Sequence, residues 1–339
     1  MAIRIVVVGM GPRGQDWLRE IQKASEFKIT ACVDIDPAAL QGVCSKGVVT
    51  ANQCFSKLEA ALDQNACDAV MVATSPGSHF EPCKLALTRG LAVMVEKPFT
   101  LHLSEAVELV TLAEQNGVAL IVAQNYRYMR SFRTARRLIS NGVLGQVGMV
   151  VCQYYRVPHA SMGSLALLTN SVLWGAGIHH IDALSYTLNK RITAVMVESF
   201  TMPYGKLPRG ASMHILLSLE DNTRAIYSST YESSGHEFFE RGQEFYVRYV
   251  GDRATLHVFQ RWLILCESGK LPRLVRRGPR KVTEEKVLLD QLERALIAGE
   301  KPDASGRDNL QTMAVVEACV RSASERRWIS PQELLDEYK

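Results

Sequence analysis

The chain opens on an apolar run, Ile3–Val8, that ends in Gly9-Met10-Gly11-Pro12-Arg13-Gly14. A helix is predicted from there through about Ser25. A second apolar strand, Ile29–Val33, stops at Asp34, and Asp36-Pro37 supplies an N-cap and a first helical residue for the next helix. The alternation continues through helix Ser56–Gln64, strand Ala69–Thr74, turn Ser75-Pro76-Gly77-Ser78, helix Phe80–Arg89, strand Ala92–Val95, helix Ser104–Asn116 and strand Ala119–Ala123. Strands that are apolar along their length are buried on both faces, and amphipathic helices between them supply the cover. The expected result is a parallel α/β sheet of the Rossmann kind.

From Gln124 the pattern changes. Helix Phe132–Ser140 leads through Gly142-Val143-Leu144-Gly145 to a strand near Val147–Arg156, and a helix follows at Ile178–Leu188. Strands are then predicted at Ala194–Phe200, His214–Leu219, Thr223–Tyr231, Glu244–Val250 and Thr255–Phe259. Apolar and polar residues alternate in Phe245–Val250, as in a strand with only one face on a core. Helices return at Glu284–Ala298 and Asn309–Ser324. Residues 1–123 are thus expected to form the α/β domain. Residues 124–339 are expected to form an α+β domain with a largely antiparallel open sheet, helices on one face and, where the other face is apolar, an oligomer surface there.

Composition narrows the classes of function. A length of 339 residues suits two domains better than one core. A formal net charge of +4 gives no reason to expect a nucleic-acid partner, and the basic run Arg273–Lys281 reads as a solvated loop. The eight cysteines include no C-x-x-C pair and read as reduced, mostly buried thiols. The first ten residues hold too short an apolar run for a signal peptide. No stretch approaches the roughly 20 apolar residues of a membrane span. No membrane partner is expected, and the expected compartment is the cytoplasm. Metal-binding patterns such as H-E-x-x-H are absent from the sequence, so no metal is expected.

A lone G-x-G-x-x-G carries little weight, but here it lies between a strand and a helix, with an acidic residue closing the next strand. Gly9 allows the tight turn, Gly11 lets a pyrophosphate approach the backbone, and Gly14 lets helix and strand pack closely. Met10, Pro12 and Arg13 complete the loop, whose N–H groups face a diphosphate. Asp34 stands where a carboxylate accepts hydrogen bonds from the adenine ribose. Its charge, followed by Ile35 rather than a basic residue, favours NAD over NADP; Arg13 in the loop weakens that preference slightly.

Further motifs follow in order: Ala73-Thr74-Ser75-Pro76-Gly77-Ser78-His79, Val95-Glu96-Lys97-Pro98, Asn125-Tyr126-Arg127-Tyr128, Gly177-Ile178-His179-His180-Ile181-Asp182 and Ser305-Gly306-Arg307-Asp308. With the glycine loop they resemble the glucose–fructose oxidoreductase and inositol dehydrogenase (Gfo/Idh/MocA) family over essentially the whole chain. The resemblance implies a cofactor site that also includes Thr74, Ser75, His79, Glu96, Lys97 and Asn125. It implies Lys97 beside nicotinamide and substrate, where a cation stabilises a developing alkoxide. Whether the Lys97–Pro98 peptide is cis the sequence leaves open. It implies His179 as a proton acceptor, although Gly175 stands where the family carries an orienting aspartate. His180, Tyr155, His159, Asp182 or an acidic group on the substrate are the alternatives for that task.

Tyr126, Arg127, Tyr155, Arg156, His159 and Trp174 fall on segments that line the substrate cleft in the family. Such groups suit a sugar, cyclitol or related polyol, and an arginine also suits a carboxylate or phosphate. The resemblance further implies a homodimer or homotetramer formed through the open sheet. The expected function is NAD-dependent oxidation of a secondary hydroxyl by Lys97 and His179. Two other outcomes fit the same cofactor. One is tightly held NAD that oxidises a glycoside transiently so that it can be cleaved; the other is a non-catalytic NAD-binding regulator, which Gly175 would suit.

Overall fold

The computed structural model describes residues 2–157, 168–207, 210–234, 243–259, 261–278 and 282–338. They form two compact units, Met1–Asn125 with Val282–Leu310, and Tyr126–Lys281 with Gln311–Lys339.

The first unit is built on six parallel strands: β1 (Ile3–Val8), β2 (Phe27–Val33), β3 (Cys54–Phe55), β4 (Ala69–Val72), β5 (Ala92–Val95) and β6 (Leu120–Val122), in the spatial order β3-β2-β1-β4-β5-β6. β1, β4, β5 and β6 are buried almost throughout, as their unbroken apolar composition requires. Arg4 is the polar residue of β1. Its guanidinium pairs with Asp68 at 2.6 Å, and its backbone N–H donates to the same carboxylate at 2.7 Å. Helix α1 (Pro12–Lys23) buries Trp17, Leu18 and Ile21 on one face, a burial of about 1.5–3 kcal/mol for each aliphatic side chain. Helices α2 (Pro37–Ser45), α3 (Leu58–Gln64), α4 (Phe80–Thr88) and α5 (Leu103–Gln115) fill the other crossovers. Asp36 caps α2 by accepting from Ala38 N–H at 2.9 Å.

The expected boundary at residue 123 ignores a return of the chain. Helix α8 (Glu284–Ala298) and the first turn of α9 (Gly306–Glu325) pack with the first unit instead of the second. The physical reason is the open edge of β6. Val122 N–H donates to Ala304 O at 2.9 Å, and Ile121 and Ser305 form an isolated bridge, so the returning segment pairs with that edge. Gly306 allows the approach, since a Cβ there would lie 2.8 Å from Leu120. Ion pairs of Arg13 with Glu285 and of Arg307 with Glu114 hold the same segment.

The second unit carries eight strands: β7 (Val147–Arg156), β8 (Ile192–Phe200), β9 (Ser212–Leu219), β10 (Arg224–Thr230), β11 (Gln243–Gly251), β12 (Ala254–Phe259), β13 (Leu263–Glu267) and β14 (Arg273–Leu274). Their order is β14-β13-β12-β11-β7-β10-β9-β8. The β7–β10 pair is parallel and the others antiparallel. One face presents Val150, Cys152 and Tyr154 of β7, Ala225 and Tyr227 of β10, and Val247 and Tyr249 of β11, all buried. Helices α6 (Arg130–Ser140), α7 (Ile178–Leu188) and the rest of α9 accompany the sheet, and α10 (Pro331–Asp336) lies against β8. The other face leaves Met149, Leu216 and Ile226 more than 40% exposed.

β3, β13, β14 and α10 are additions to the elements predicted from sequence. The basic run begins as the edge strand β14, with Arg273 and Leu274 both exposed; its residues 279–281 lie outside the described ones. No helix among the described residues is long and apolar enough to cross a membrane.

Candidate functional site

Register assembles the first part of the site. Val33, Val8, Val72, Val95 and Val122 pair across the parallel sheet in one row. The residues that follow them, Asp34, Gly9, Ala73, Glu96 and Ala123, therefore emerge along one edge of the sheet. Successive strands are bound there by Gly9 N–H to Val33 O at 2.8 Å, Ala73 N–H to Val8 O at 2.7 Å and Glu96 N–H to Val72 O at 2.8 Å. The strand order reverses between β1 and β4, and the carboxyl edge at such a reversal is where open α/β sheets bind ligands.

The glycines do different work at that edge. Gly9 has φ +94°, and a Cβ there would lie 2.7 Å from the backbone of Ala73 and Thr74. A Cβ on Gly14 would lie 1.8 Å from Gly9 O. Both positions thus require glycine for the loop to lie on β4 and for α1 to lie on the loop. A Cβ on Gly11 would meet nothing within 4 Å. Gly11 is also the N-cap of α1 and supplies no side-chain acceptor, while Pro12 stands in the first turn without an N–H. An open backbone and uncapped first-turn N–H groups suit an anion.

Asp34 is fixed to this loop. Its carboxylate accepts Met10 N–H at 2.6 Å and Asp36 N–H at 2.8 Å, and Ile35 beside it is 90% exposed. Arg13 turns the other way. Its guanidinium meets Glu96 at 2.6 Å, Asp16 at 3.0 Å and Glu285 at 3.3 Å. Three carboxylates around it leave little charge to attract a ribose 2′-phosphate, which removes the reservation that Arg13 placed on NAD.

Lys97 follows Glu96 at the end of β5, and the Lys97–Pro98 peptide is cis. Glu96, expected at the cofactor, is buried. It accepts Trp17 Nε1–H at 2.8 Å and Lys97 N–H at 3.1 Å besides its pair with Arg13, so it ties α1 to the turn that carries Lys97. His79 does similar work from α4. It is fully buried, with Nδ1 2.8 Å from Pro98 O and Nε2 3.2 Å from Thr74 O, and so joins the Lys97 turn to the turn after β4. Burial lowers its pKa, against the pull of those carbonyls. In that second turn Thr74 Oγ1 donates to Ser78 O at 3.1 Å, and the Ser75 and Ser78 hydroxyls lie 3.2 Å apart. Burial also brings the Lys97 ammonium down to about 8, with Glu96 holding it up and Arg13 pressing it further down.

Asn125 completes this group. Its Oδ1 is buried without a hydrogen-bond partner among the described residues, as are both polar atoms of the Gln124 amide. The open Gly11 backbone, the uncapped helix start and this orphaned amide together fit a dinucleotide.

The second unit holds the other candidates. Tyr126 stacks on His179, with ring centroids 4.1 Å apart and planes 10° from parallel. His179 lies in the first turn of α7, directly after a π-helical turn, Leu173–Gly177, that carries half-buried Trp174. His180 belongs to the core: Nδ1 is 2.9 Å from the Tyr227 hydroxyl, and the ring stacks on Phe245.

Arg127 is not open to a substrate. It is 5% exposed and holds Asp182 through two hydrogen bonds of 2.6 Å each, while Thr312 donates to the same carboxylate at 2.9 Å. This pair also accounts for Asp182, which faces Arg127 as its ion partner. Tyr155 is a second correction. Strand alternation sends it to the open face, where its hydroxyl lies 3.1 Å from that of Ser228. Tyr154 is the residue on the helix-covered face, 4.8 Å from the His180 ring. The buried parity of Val150 and Cys152 in the sequence points to Tyr154. His159 lies outside the described residues.

The place expected for an acid at position 175 is filled from elsewhere. A Cβ on Gly175 would lie 2.2 Å from the hydroxyl oxygen of Tyr231, a buried residue at the end of β10. Tyr231 also meets Tyr154 edge-on at 6.2 Å. Nothing in the spacing of the sequence pairs Tyr231 with Gly175; only the sheet brings them together.

The family profile described as oxidoreductase family, NAD-binding Rossmann fold, matches residues 3–124, and the GFO/IDH/MocA C-terminal domain profile matches residues 132–269. The chain is 25% identical to D-apiose dehydrogenase of Paraburkholderia graminis, over 89% of this chain and 85% of that protein. It is similar in fold to an oxidoreductase from Agrobacterium radiobacter in complex with NAD+, L-tartaric acid and magnesium (TM-score 0.89, 20% identity, 98% of this chain and 100% of that one). It is likewise similar to an inositol dehydrogenase homolog from Azotobacter vinelandii complexed with NADH and myo-inositol (TM-score 0.82, 22% identity, 97% and 98%).

Proposed function

The chain belongs to the Gfo/Idh/MocA oxidoreductase family, and we propose that it is an NAD-dependent dehydrogenase acting on a secondary hydroxyl of a sugar, cyclitol or related polyol. The observation that carries this reading is Lys97 at the carboxyl edge of the sheet, one residue past the row that holds Gly9 and Asp34, with its ammonium brought down to about 8. Bound NAD supplies the two-electron acceptor. The N–H groups at the start of α1 take the diphosphate, Asp34 takes the adenine-ribose hydroxyls, and Asn125 offers its amide to the remaining polar edge. Glu96 and His79 hold the turn that aims Lys97.

A lysine poised near 8 exchanges a proton with a substrate oxygen at ordinary pH, as amine in oxidation and as ammonium in reduction. His179, held flat against Tyr126, is the second proton-handling group, and Tyr126 and Trp174 offer ring faces to a sugar. The polyol class is supported by D-apiose dehydrogenase among the relatives and by the myo-inositol complex among the similar structures. We assign the open face of the second sheet, with Met149, Leu216 and Ile226, to a homo-oligomer contact.

The test is turnover of NAD with a panel of sugars, cyclitols and sugar acids, followed by the absorbance of reduced nicotinamide. Reduction with at least one polyol is expected. Tight NAD binding with no net reduction, but cleavage of a glycoside, would replace this reading with transient oxidation.

A further inference from the structure

Three cysteines converge at the β3 edge of the first sheet, four strands across from β5 and the Lys97 that follows it. Cys54 opens β3 and pairs in register with Cys32 of β2. Cys44 lies in the last turn of α2, and its sulfur is 2.8 Å from that of Cys54. All three are free thiols. Cys32 is fully buried inside the sheet, whereas Cys44 and Cys54 are partly exposed. The strand pairing fixes Cys54, and the N-cap by Asp36 fixes the start of the helix that carries Cys44. The sulfurs are thus held by separate elements, a short step from the about 2.0 Å of a disulfide.

We propose that Cys44 and Cys54 form a reversible dithiol–disulfide site that closes in response to a peroxide. The Cys44 thiolate attacks the peroxide O–O bond, which breaks to give a sulfenic acid on Cys44 and one water, counting the proton from the thiol. The Cys54 sulfur then attacks the Cys44 sulfur; the S–S bond forms, the S–O bond breaks, and the departing hydroxide takes the Cys54 proton as a second water. Two thiols are oxidised and one peroxide is reduced to two waters. Cys54 is the resolving partner because its thiol is held as a donor to the Thr50 carbonyl at 3.7 Å and the Leu40 carbonyl at 4.0 Å, and burial with the neighbouring Cys44 pushes it up. Cys32 is left out because burial holds its thiol at about 12 and the sheet encloses it.

Closure would tie α2 to β3 on both sides of Asp34. Phe55, next to Cys54, accepts Asp34 N–H through its carbonyl at 3.1 Å, and Asp36 at the head of α2 donates to the Asp34 carboxylate at 2.8 Å. The site itself is independent of the function proposed above.

The experiment treats the purified full-length protein with hydrogen peroxide in slight excess, then alkylates it and maps peptides without reduction. The expected result is a peptide linking Cys44 to Cys54, a loss of two hydrogens from the intact mass and complete reversal by dithiothreitol. Cys44→Ser should abolish the link and leave Cys54 reduced and alkylatable; Cys54→Ser should trap sulfenic acid on Cys44. Both variants should melt within a few degrees of the wild type in reducing buffer. The proposal is overturned if both thiols of the wild type stay alkylatable, if they oxidise without linking, or if the link forms to Cys32 or between chains. The wild-type map alone decides the question should either variant fail to fold.

Discussion

Lys97 stands close to its titration point at physiological pH because burial, opposed by Glu96 and helped by Arg13, brings it to about 8. The sign of its pH dependence follows from which form works. In alcohol oxidation Lys97 must accept a proton, so kcat/KM should rise with pH and level off above about 8. In carbonyl reduction it must donate one, so the same constant should fall through that range. Rate profiles in both directions check this, and a pair of profiles bending the same way would remove Lys97 from the proton transfer. Asp34 makes a second prediction at this scale. Its carboxylate is the group set for the ribose, and hydrogen bonds to a charged group contribute about 1.5–3 kcal/mol each. Asp34→Ala should weaken NAD by roughly 10- to 100-fold and leave NADP unaffected or improved, as read by calorimetry. The positions of these two residues, just past the ends of β5 and β2, were legible in the sequence because each follows an apolar strand. Glu96 and His79 were legible as positions but not as partners: the expectation put them at the cofactor, and their side chains bind Trp17, Arg13 and two backbone carbonyls.

The α/β elements were readable because their burial is written along the strand itself, and the six-stranded parallel sheet follows the predicted runs closely. β3 escaped because two residues paired to the edge of β2 leave no period to detect. The turn before α7 escaped for another reason. A π-helical turn inserts an extra residue, so a spacing of four between Gly175 and His179 no longer reports one face. Tyr231 reaches Gly175 across the sheet instead, and that contact predicts a coupling. Gly175→Ala should destabilise the chain by about 1–3 kcal/mol through overpacking against the tyrosine hydroxyl. In a Tyr231→Phe background the same substitution should cost about 1 kcal/mol less. Thermal or urea melts of the four proteins give the cycle. Strict additivity would mean that the helix backbone yields, and that the phenol does not hold the turn.

For the whole molecule, the sequence placed the change of architecture near residue 123 but not the return of Val282–Leu310 to the first unit. That return depends on an unpaired edge at β6, which only the assembled sheet exposes. The second sheet has one covered face and one open one. Leu216 and Ile226 are cross-strand partners on the open face, and Val151 pairs with Ile226 from the other side. A patch of this kind suits a second copy of the chain. Light scattering should find a dimer or tetramer, and Leu216→Glu should shift it to smaller species without lowering NAD affinity. A monomeric wild type would leave the face without that role.

The most direct test of the catalytic reading compares the wild type with Lys97→Met on a polyol that the wild type oxidises, after calorimetry has established that both bind NAD. Near-equal NAD affinity is expected, with a loss of turnover of about 10²–10⁴-fold, the range of a general acid–base group. Equal turnover in the two proteins would contradict that reading, because the proton would then be handled without Lys97.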